Sequence, residues 1–339
     1  THGKTTTSTL TTHLLRSGGV DCNAFLGGVA RNFSSNFVAG SSEWVVVEAD
    51  EYDRSFLRLH PHIAVISAIA PDHLDIYGSK EKLLEGFNTF ISQCDKNGKV
   101  IVHENIAAQL KLPQNSIRYG VGSSAAVRAE DVKIINHQYE FKLCRGDEET
   151  LVRMQVPGQH NIDNACAAAA VCYELGLSSD QIRHGLESYS GVHRRFEYII
   201  KEEKLVYIDD YAHHPEEITA CVETVKALYP ESRISGIFQP HLYSRTRDFA
   251  EGFAESLSRL DEIMLLDIYP AREDPIEGVS SRMIYDKITT DNKKVYKKEE
   301  LLDEMLKGNR EVVISMGAGD IDQLVEPIKE RLLKSCLLY

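Results

Sequence analysis

The sequence predicts an α/β protein of two successive three-layer domains that meet near residue 190. Three observations point there. Short apolar runs alternate with amphipathic stretches, the pattern of strands in a mostly parallel sheet covered by helices. A Gly-Lys-Thr triplet opens the first helical stretch, and around Gly191 a second strand–helix series starts afresh. The length of 339 residues agrees with about two domains.

Taken in order, residues 6–16 read as a helix ended by Gly18-Gly19. Residues 44–47 form a short apolar run that ends in acids: Glu48, Asp50, Glu51 and Asp53. Residues 63–69 read as a buried strand followed by Pro71-Asp72-His73. Residues 80–93 have helical spacing, with Leu83, Leu84, Phe87 and Ile91 on one face, and 100–102 is another strand. From 119 to 156 the texture changes. The alternating segments 139–143 and 151–156 predict antiparallel strands at the edge of the sheet. An alanine-rich helix follows over 161–175 and a short amphipathic one over 181–189. Beyond the boundary, strands are expected at 205–208, 234–238, 263–266 and 312–315, and helices at 215–228, 247–260 and 321–334. Pro215 suits a first helical turn, where no N–H is needed.

Composition narrows the function classes. With 42% hydrophobic and 26% charged residues, the chain can build sizeable cores, which excludes a disordered chain, a collagen or a coiled coil. Acids number 51 against 38 bases, and the formal charge of −13 disfavours a nucleic-acid partner while leaving room for a local anion pocket. Seven cysteines without a C-x-x-C pair read as reduced thiols of a cytoplasmic protein, not as a disulfide framework or zinc site. No apolar window reaches about 18 residues, so no membrane span is expected. The N-terminus lacks signal-peptide architecture. The chain opens inside Thr1-His2-Gly3-Lys4-Thr5-Thr6-Thr7, the second half of a phosphate loop. The strand and first glycine that should precede it are not in the sequence, so an N-terminal portion is expected to be missing.

Gly3-Lys4-Thr5 is the strongest local signal. Loop N–H groups at a helix start favour a phosphate, Lys4 can neutralise β/γ-phosphate charge, and the Thr5 hydroxyl can bind Mg²⁺. An acid at the end of a neighbouring strand completes such a site, and Glu48 fits, since hard cations take carboxylate oxygens. His73 follows another strand and is expected to reach the same cleft. Asn161 is either a helix cap or, with His160 and Asn164, a donor set for an adenine edge. In the second half, Arg194-Arg195, Asp209-Asp210-Tyr211-Ala212-His213-His214 and the stretch from Gln239 to Arg247 gather at strand ends. Arginines there can clamp a carboxylate. The glycine turn at 316–320 reads as tight strand-to-helix packing.

In this order T-H-G-K-T-T-T, E-A-D-E-Y-D-R-S-F-L, D-H-L-D-I-Y, G-Q-H-N-I-D-N-A, H-R-R-F-E, D-D-Y-A-H-H-P and F-Q-P-H-L-Y-S-R-T-R-D-F resemble the Mur ligases, most of all their alanine-adding branch. The resemblance runs from Thr1 to about Asp320. It implies a central P-loop ATPase domain with a mostly parallel sheet over 1–190, a C-terminal Rossmann-like domain over 191–339, and a UDP-sugar-binding domain absent from this chain. It implies ATP and Mg²⁺ as cofactors, UDP-N-acetylmuramate and L-alanine as substrates, and amide formation through an acyl phosphate in peptidoglycan precursor synthesis. By the same resemblance Gly3, Lys4, Thr5 and Thr6 hold ATP. Thr5, Glu48 and His73 hold metal, and His160, Asn161 and Asn164 contact the nucleotide. Arg195, Asp210 and Tyr211 meet ATP as the second domain closes about a hinge near 188–193. His73, Arg194, His214, His241 and Arg245 bind substrate, and Lys4, His73, His214 and Arg245 carry the chemistry.

Two departures stand out. Several Mur ligases carry a lysine in the stretch that here reads Gly86-Phe87-Asn88-Thr89. Many alanine-adding relatives have arginine where Leu242 stands, which shifts a carboxylate clamp onto Arg245 and Arg247. The competing readings are a ligase that adds a whole tripeptide in murein recycling, and a P-loop ATPase, kinase or nucleotide-binding module without ligation. Lacking its sugar-nucleotide domain, this chain is expected to be weakly active or inactive.

Overall fold

A computed structural model describes residues 3–69, 77–122 and 124–338. By its internal contacts the chain separates into two units, Thr1–His193 and Arg194–Tyr339.

The first unit opens with helix α1 (Lys4–Ser17), closed by Gly18 and by Gly19 in the left-handed region at φ 96°. Strands β1 (Asn23–Ala30), β2 (Ser35–Val38) and β3 (Val45–Val47) form a small sheet in the order β2-β1-β3, with β1 antiparallel to β2 and parallel to β3. A second sheet has six strands in sequence order: β4 (Ile63–Ile66), β5 (Lys99–His103), β6 (Ile117–Val121), β7 (Val127–Ile135), β8 (Gln138–Arg145) and β9 (Glu148–Met154). Pairing is parallel from β4 to β7 and antiparallel from β7 to β9, as the alternating segments required. Helix α2 (Lys80–Ser92) starts at Ser79, whose hydroxyl accepts the Lys82 N–H, and buries Leu83, Phe87, Phe90 and Ile91 against Phe56 and β4–β5. After the short α3 (Glu104–Ala107) and strands β6–β9 comes α4 (Gln159–Glu174). Its alanines are almost wholly buried, and such small side chains let a helix buried all round approach α1 and strands β5–β7. Helix α5 (Ser179–Ser188) begins with a capping box between Ser178 and Gln181.

The second unit holds one six-stranded sheet ordered β10-β11-β15-β12-β13-β14, comprising β10 (Glu197–Lys201), β11 (Val206–Asp210), β12 (Ile234–Phe238), β13 (Glu262–Leu266), β14 (Lys293–Tyr296) and β15 (Val312–Met316). Only β10 pairs antiparallel. The helices are α6 (Pro215–Leu228), α7 (Tyr243–Leu257), α8 (Arg282–Tyr285), α9 (Lys298–Glu304) and α10 (Val325–Leu338). Tyr207, Ile237, Met264, Leu266, Val313 and Ile328 lie in its core. The last strand, β15, enters between β11 and β12, so the loops after these three strands meet at one end of the sheet.

Several expectations are corrected. The strand at 63–69 stops at Ile66, because its partner β5 pairs only as far as Val102 before turning into α3. Strands β1, β2, β10 and β14 went unread, since Gly27-Gly28 and the lysines of 293–294 dilute the apolar signal. Helix α7 starts at Tyr243, four residues before the expected 247. Its early start is secured by Glu273, whose carboxylate accepts the Ser244 N–H and hydroxyl. The C-terminal helix is preceded by a 3₁₀ turn over Asp320–Leu324.

Candidate active site

In the first unit, Gly3 takes φ 79°, a left-handed conformation that suits glycine, and α1 begins behind it without a side-chain cap. The N–H groups of its first turn, Thr6 included, therefore face outward as an anion would need. Lys4 Nζ lies 2.5 Å from Glu51 Oε2 and 3.1 Å from Asp50 Oδ1. Burial works against its charge, but Glu51 and Asp50 outweigh that and hold the Lys4 pKa above the ordinary lysine value.

Glu48 sits just past the end of β3. Strand β1 runs on beyond that end, so the Gly27 N–H is free to donate to Glu48 Oε2 at 2.7 Å. The Thr5 hydroxyl donates to Oε1 at 3.0 Å, and the Ser8 hydroxyl reaches Oε2 at 3.4 Å. A Cβ on Gly27 would stand 2.3 Å from one carboxylate oxygen and 2.4 Å from the other, so only glycine fits here without moving Glu48. The Thr5–Glu48 pair fits a Mg²⁺ ion: both donors are hard oxygens and they already face each other, as befits an ion held by one or two protein groups plus phosphate and water. His73, the third expected ligand, lies outside the described residues.

Asn161 and Asn164 are buried, and their amides are engaged inside the unit. Asn161 donates to the Pro157 carbonyl at 2.6 Å, Asn164 donates to Asn161 Oδ1 at 3.2 Å, and Asn164 Oδ1 accepts the Thr7 hydroxyl at 3.0 Å. The pair therefore fastens α4 to the first turn of α1. Gly158, not Asn161, is the N-cap of α4, and His160 is exposed beside it.

In the second unit, Asp210 ends β11. Its carboxylate accepts the N–H groups of Phe196 and Ala212, each at 2.7 Å, and burial pushes its pKa up to about 6 against the pull of Arg195. Arg194 donates to Asp209 at 3.1 Å and to the Gly317 carbonyl at 2.6 Å. The Asp209 carboxylate is itself buried and accepts the Ser315 hydroxyl at 2.6 Å. These bonds tie Arg194 to its own unit across the glycine turn. Arg195 stands 5.0 Å from the centre of the Tyr211 ring, with Arg194 5.3 Å from it.

Arg245 Nη1 lies 3.2 Å from His241 Nδ1. A guanidinium only donates, so Nδ1 carries the lone pair and His241 is neutral. Burial, then Arg245 and His213, bring its pKa down to about 4. His213, absent from the expected set, belongs to the same cluster: its ring is 6.1 Å from that of His241, and its Nδ1 donates to the Tyr211 carbonyl at 2.9 Å. Burial lowers its pKa as well. His214 instead packs its ring on Phe249 at 4.6 Å. Arg247 is exposed and paired with Asp248 at 2.7 Å, so Arg245 alone of the two joins the histidines. Leu242, the N-cap residue of α7, is held at φ 72°, an unfavourable conformation for a side chain branched at Cγ. The histidine pair could have been suspected from the adjacent His213-His214. Which of the two faces Arg245 depends on Pro215 opening α6, a distinction of backbone direction that spacing does not carry.

The first unit thus has the parts of a phosphate-loop nucleotide site, and the second offers a cationic cluster flanked by neutral imidazoles. Residues 1–172 match the Mur ligase middle domain and residues 194–319 the Mur ligase, glutamate ligase domain. The chain belongs to the Mur ligase family. It is similar to the UDP-N-acetylmuramate–L-alanine ligase of Parabacteroides distasonis, with 47% identity over 98% of this chain and 73% of that protein. The enzyme of the same name from Cytophaga hutchinsonii is 44% identical over 97% of this chain and 72% of its own length. Among solved structures, the UDP-N-acetylmuramate–alanine ligase MurC of Thermotoga maritima superposes with a TM-score of 0.82 at 26% identity, covering 99% of this chain and 74% of that one. No described helix is long and apolar enough to cross a membrane.

Proposed function

We propose that this chain supplies the nucleotide-using and amino-acid-binding parts of an ADP-forming ligase that joins L-alanine to the carboxyl group of UDP-N-acetylmuramate, a step of peptidoglycan precursor synthesis. The similarity to enzymes of that name over nearly the whole chain supports the acceptor. The observation that carries the chemistry is the arrangement of Thr5, Gly27 and Glu48 beside the uncapped start of α1.

A carboxylate does not condense with an amine at neutral pH, because oxide is a poor leaving group. In the proposed reaction a carboxylate oxygen attacks the γ-phosphorus of ATP, the bond to ADP breaks, and an acyl phosphate forms. The amine nitrogen then bonds to the acyl carbon, phosphate leaves, and the amine proton passes to a base. Lys4 neutralises charge on the transferred group, and the first-turn N–H groups of α1 orient it. Mg²⁺, held by Thr5 and Glu48, supplies further neutralisation of phosphate charge when bound. Arg245 binds the alanine carboxylate in its planar fork. His213 is better suited than His214 to accept the proton. Its Nδ1 proton is committed to the Tyr211 carbonyl, which leaves Nε2 with a lone pair, and its lowered pKa keeps it neutral. Asn161 and Asn164 act on the nucleotide through the placement of α1, and Arg195, Asp210 and Tyr211 are the nucleotide contacts of the second unit.

An acceptor screen on the full-length protein tests the reading. Phosphate release that needs ATP, UDP-N-acetylmuramate and L-alanine together is expected. Release driven by a tripeptide and not by L-alanine would assign it to murein recycling, and release without any acceptor would assign it to a simple ATPase.

A further inference from the structure

In the second unit, the loop that follows β13 grips the loop that follows β12 on both sides of His241. The Tyr269 N–H donates to the Pro240 carbonyl at 2.9 Å, and the Leu242 N–H donates to the Tyr269 carbonyl at 2.9 Å. His241 and Tyr269 are thereby paired in a one-residue parallel bridge. Their rings stack as well, with centres 5.8 Å apart and planes 19° from parallel. Tyr269 in turn rests against Gly319, where a Cβ would come within 2.6 Å of the tyrosine Cβ and Cγ.

The same loop supplies what the start of α7 lacks. Leu242, the N-cap residue at φ 72°, has no side-chain oxygen to accept a first-turn N–H. Glu273 takes that role from the neighbouring loop. Its Oε2 accepts the Ser244 N–H at 2.9 Å, and its Oε1 accepts the Ser244 hydroxyl. Burial works against its charge, but the Ser244 hydroxyl, the N–H groups of Ser244 and Tyr243, and Arg245 hold its pKa below the ordinary glutamate value. A negative charge therefore sits at the positive end of α7. Glu273 is itself placed by a turn, in which its N–H donates to the Pro270 carbonyl at 3.0 Å and Ala271 takes φ 52°. Among the described residues it forms no ion pair with Arg245, because its oxygens are spent on Ser244. The half-buried guanidinium, with Nη1 3.2 Å from His241 Nδ1, keeps donors for a ligand. Arg245 follows Ser244 directly, with Cα atoms about 3.8 Å apart, so a shift of Ser244 carries Arg245 with it.

We infer that Glu273 is a positioning residue of the amino-acid clamp: by holding Ser244 in the first turn of α7, it fixes the place from which Arg245 grips the carboxylate of L-alanine. The inference rests on the proposed reading of Arg245 and extends it to a residue that touches no substrate. Two other roles for the acid give different results. A brace for the fold alone would lower Tm and leave KM as it was. A charge that rivals the alanine carboxylate for Arg245 would lower KM when removed.

The test measures phosphate release by the full-length enzyme against L-alanine, with ATP and UDP-N-acetylmuramate saturating. Glu273→Ala should raise KM for L-alanine by about tenfold and change kcat by less than about threefold. Glu273→Gln should rescue most of that loss, to within about threefold of the wild-type KM, because its amide can accept the Ser244 N–H and donate to the hydroxyl. Ser244→Ala loses the hydroxyl bond and keeps the other, so its KM should rise by about threefold, and it carries the test should Glu273→Ala fail to fold. An unchanged KM in a folded Glu273→Ala, or in Ser244→Ala, overturns the inference whatever happens to Tm. A KM that falls in both Glu273 variants overturns it too, since the acid would then be a rival charge. Arg245→Lys, read in parallel, separates this inference from the reading beneath it. If its KM rises and that of Glu273→Ala does not, only the positioning role fails; if its own KM is unchanged, the clamp fails and the positioning role with it.

Discussion

Gly27→Ala tests the cation site most directly. Glycine φ at this position is not in the left-handed region, so alanine can adopt the backbone and the whole perturbation lies in one methyl group. That methyl would stand 2.3 and 2.4 Å from the two Glu48 oxygens and 2.5 Å from their carbon, well inside van der Waals contact. Glu48 must swing away and give up the 2.7 Å bond from the Gly27 N–H and the 3.0 Å bond from Thr5. A hydrogen bond to a charged acceptor contributes about 1.5–3 kcal/mol, and groups that orient metal ligands typically govern about 10–100-fold in metal affinity. The half-saturating Mg²⁺ concentration for ATP-dependent phosphate release in the full-length enzyme should therefore rise by about 10–100-fold. KM for L-alanine should stay put, and Tm should fall by only a few degrees. A Mg²⁺ titration gives the first number, an acceptor titration the second and a thermal melt the third. An unchanged Mg²⁺ midpoint in a folded variant would refute the assignment of Glu48.

Other outcomes follow from the same geometry. Lys4→Ala should abolish nucleotide turnover in the full-length enzyme, measured as ADP formation; normal turnover would remove Lys4 from the chemistry. Arg245→Lys keeps the charge and loses the planar fork, so KM for L-alanine should rise by about tenfold with kcat less affected, and an unchanged KM would discharge the arginine from carboxylate binding. Asn164→Leu strands the Thr7 hydroxyl in the interior and should lower stability by about 1–3 kcal/mol in a denaturant titration, whereas a neutral result would deny that the amide fastens α4 to α1. Asp210 has a raised pKa, so the folded state binds its proton more tightly than the unfolded chain does. Its contribution is full below the unfolded value of 3.8 and is lost as pH rises through about 6. Stability of the wild type relative to Asp210→Asn should thus decline by on the order of 2 kcal/mol between pH 4 and pH 7, and a flat difference would contradict the buried-carboxylate account.

Much of this molecule was legible in its residues, for reasons that can be named. Strand β12 and helix α6 were read at their observed bounds, because one is a continuous apolar run and the other opens on proline. The antiparallel edge of the larger sheet was announced by alternation in β8 and β9. Strand β1 was invisible, since Gly27, which lets Glu48 approach, and its neighbour Gly28 together erase the pattern of a strand. Lys4, Thr5 and Glu48 were legible because strand-end acids and helix-start lysines answer to local rules. The tasks of Asn161, Asn164 and Arg194 were not. Asn164 and Arg194 spend polar atoms on partners made neighbours only by the tertiary fold, at Thr7 and Gly317, while Asn161 turns back on the Pro157 carbonyl four residues before it, a local bond that spacing alone did not select over a ligand contact. His213 and His214 differ by one residue and face different surroundings, and only the direction of α6 separates them.

The ion pairs of Lys4 with Glu51 and Asp50 have a kinetic consequence. On the proposed reading an incoming triphosphate would meet an ammonium group already matched to carboxylates, so loading would swap one set of attractions for another and gain less than a bare cation would offer. On that reading the same acids would reclaim the lysine once the γ-group has gone, which favours release of ADP. Glu51→Gln should accordingly tighten the grip on ADP and slow its release, measured by ADP dissociation from the full-length enzyme.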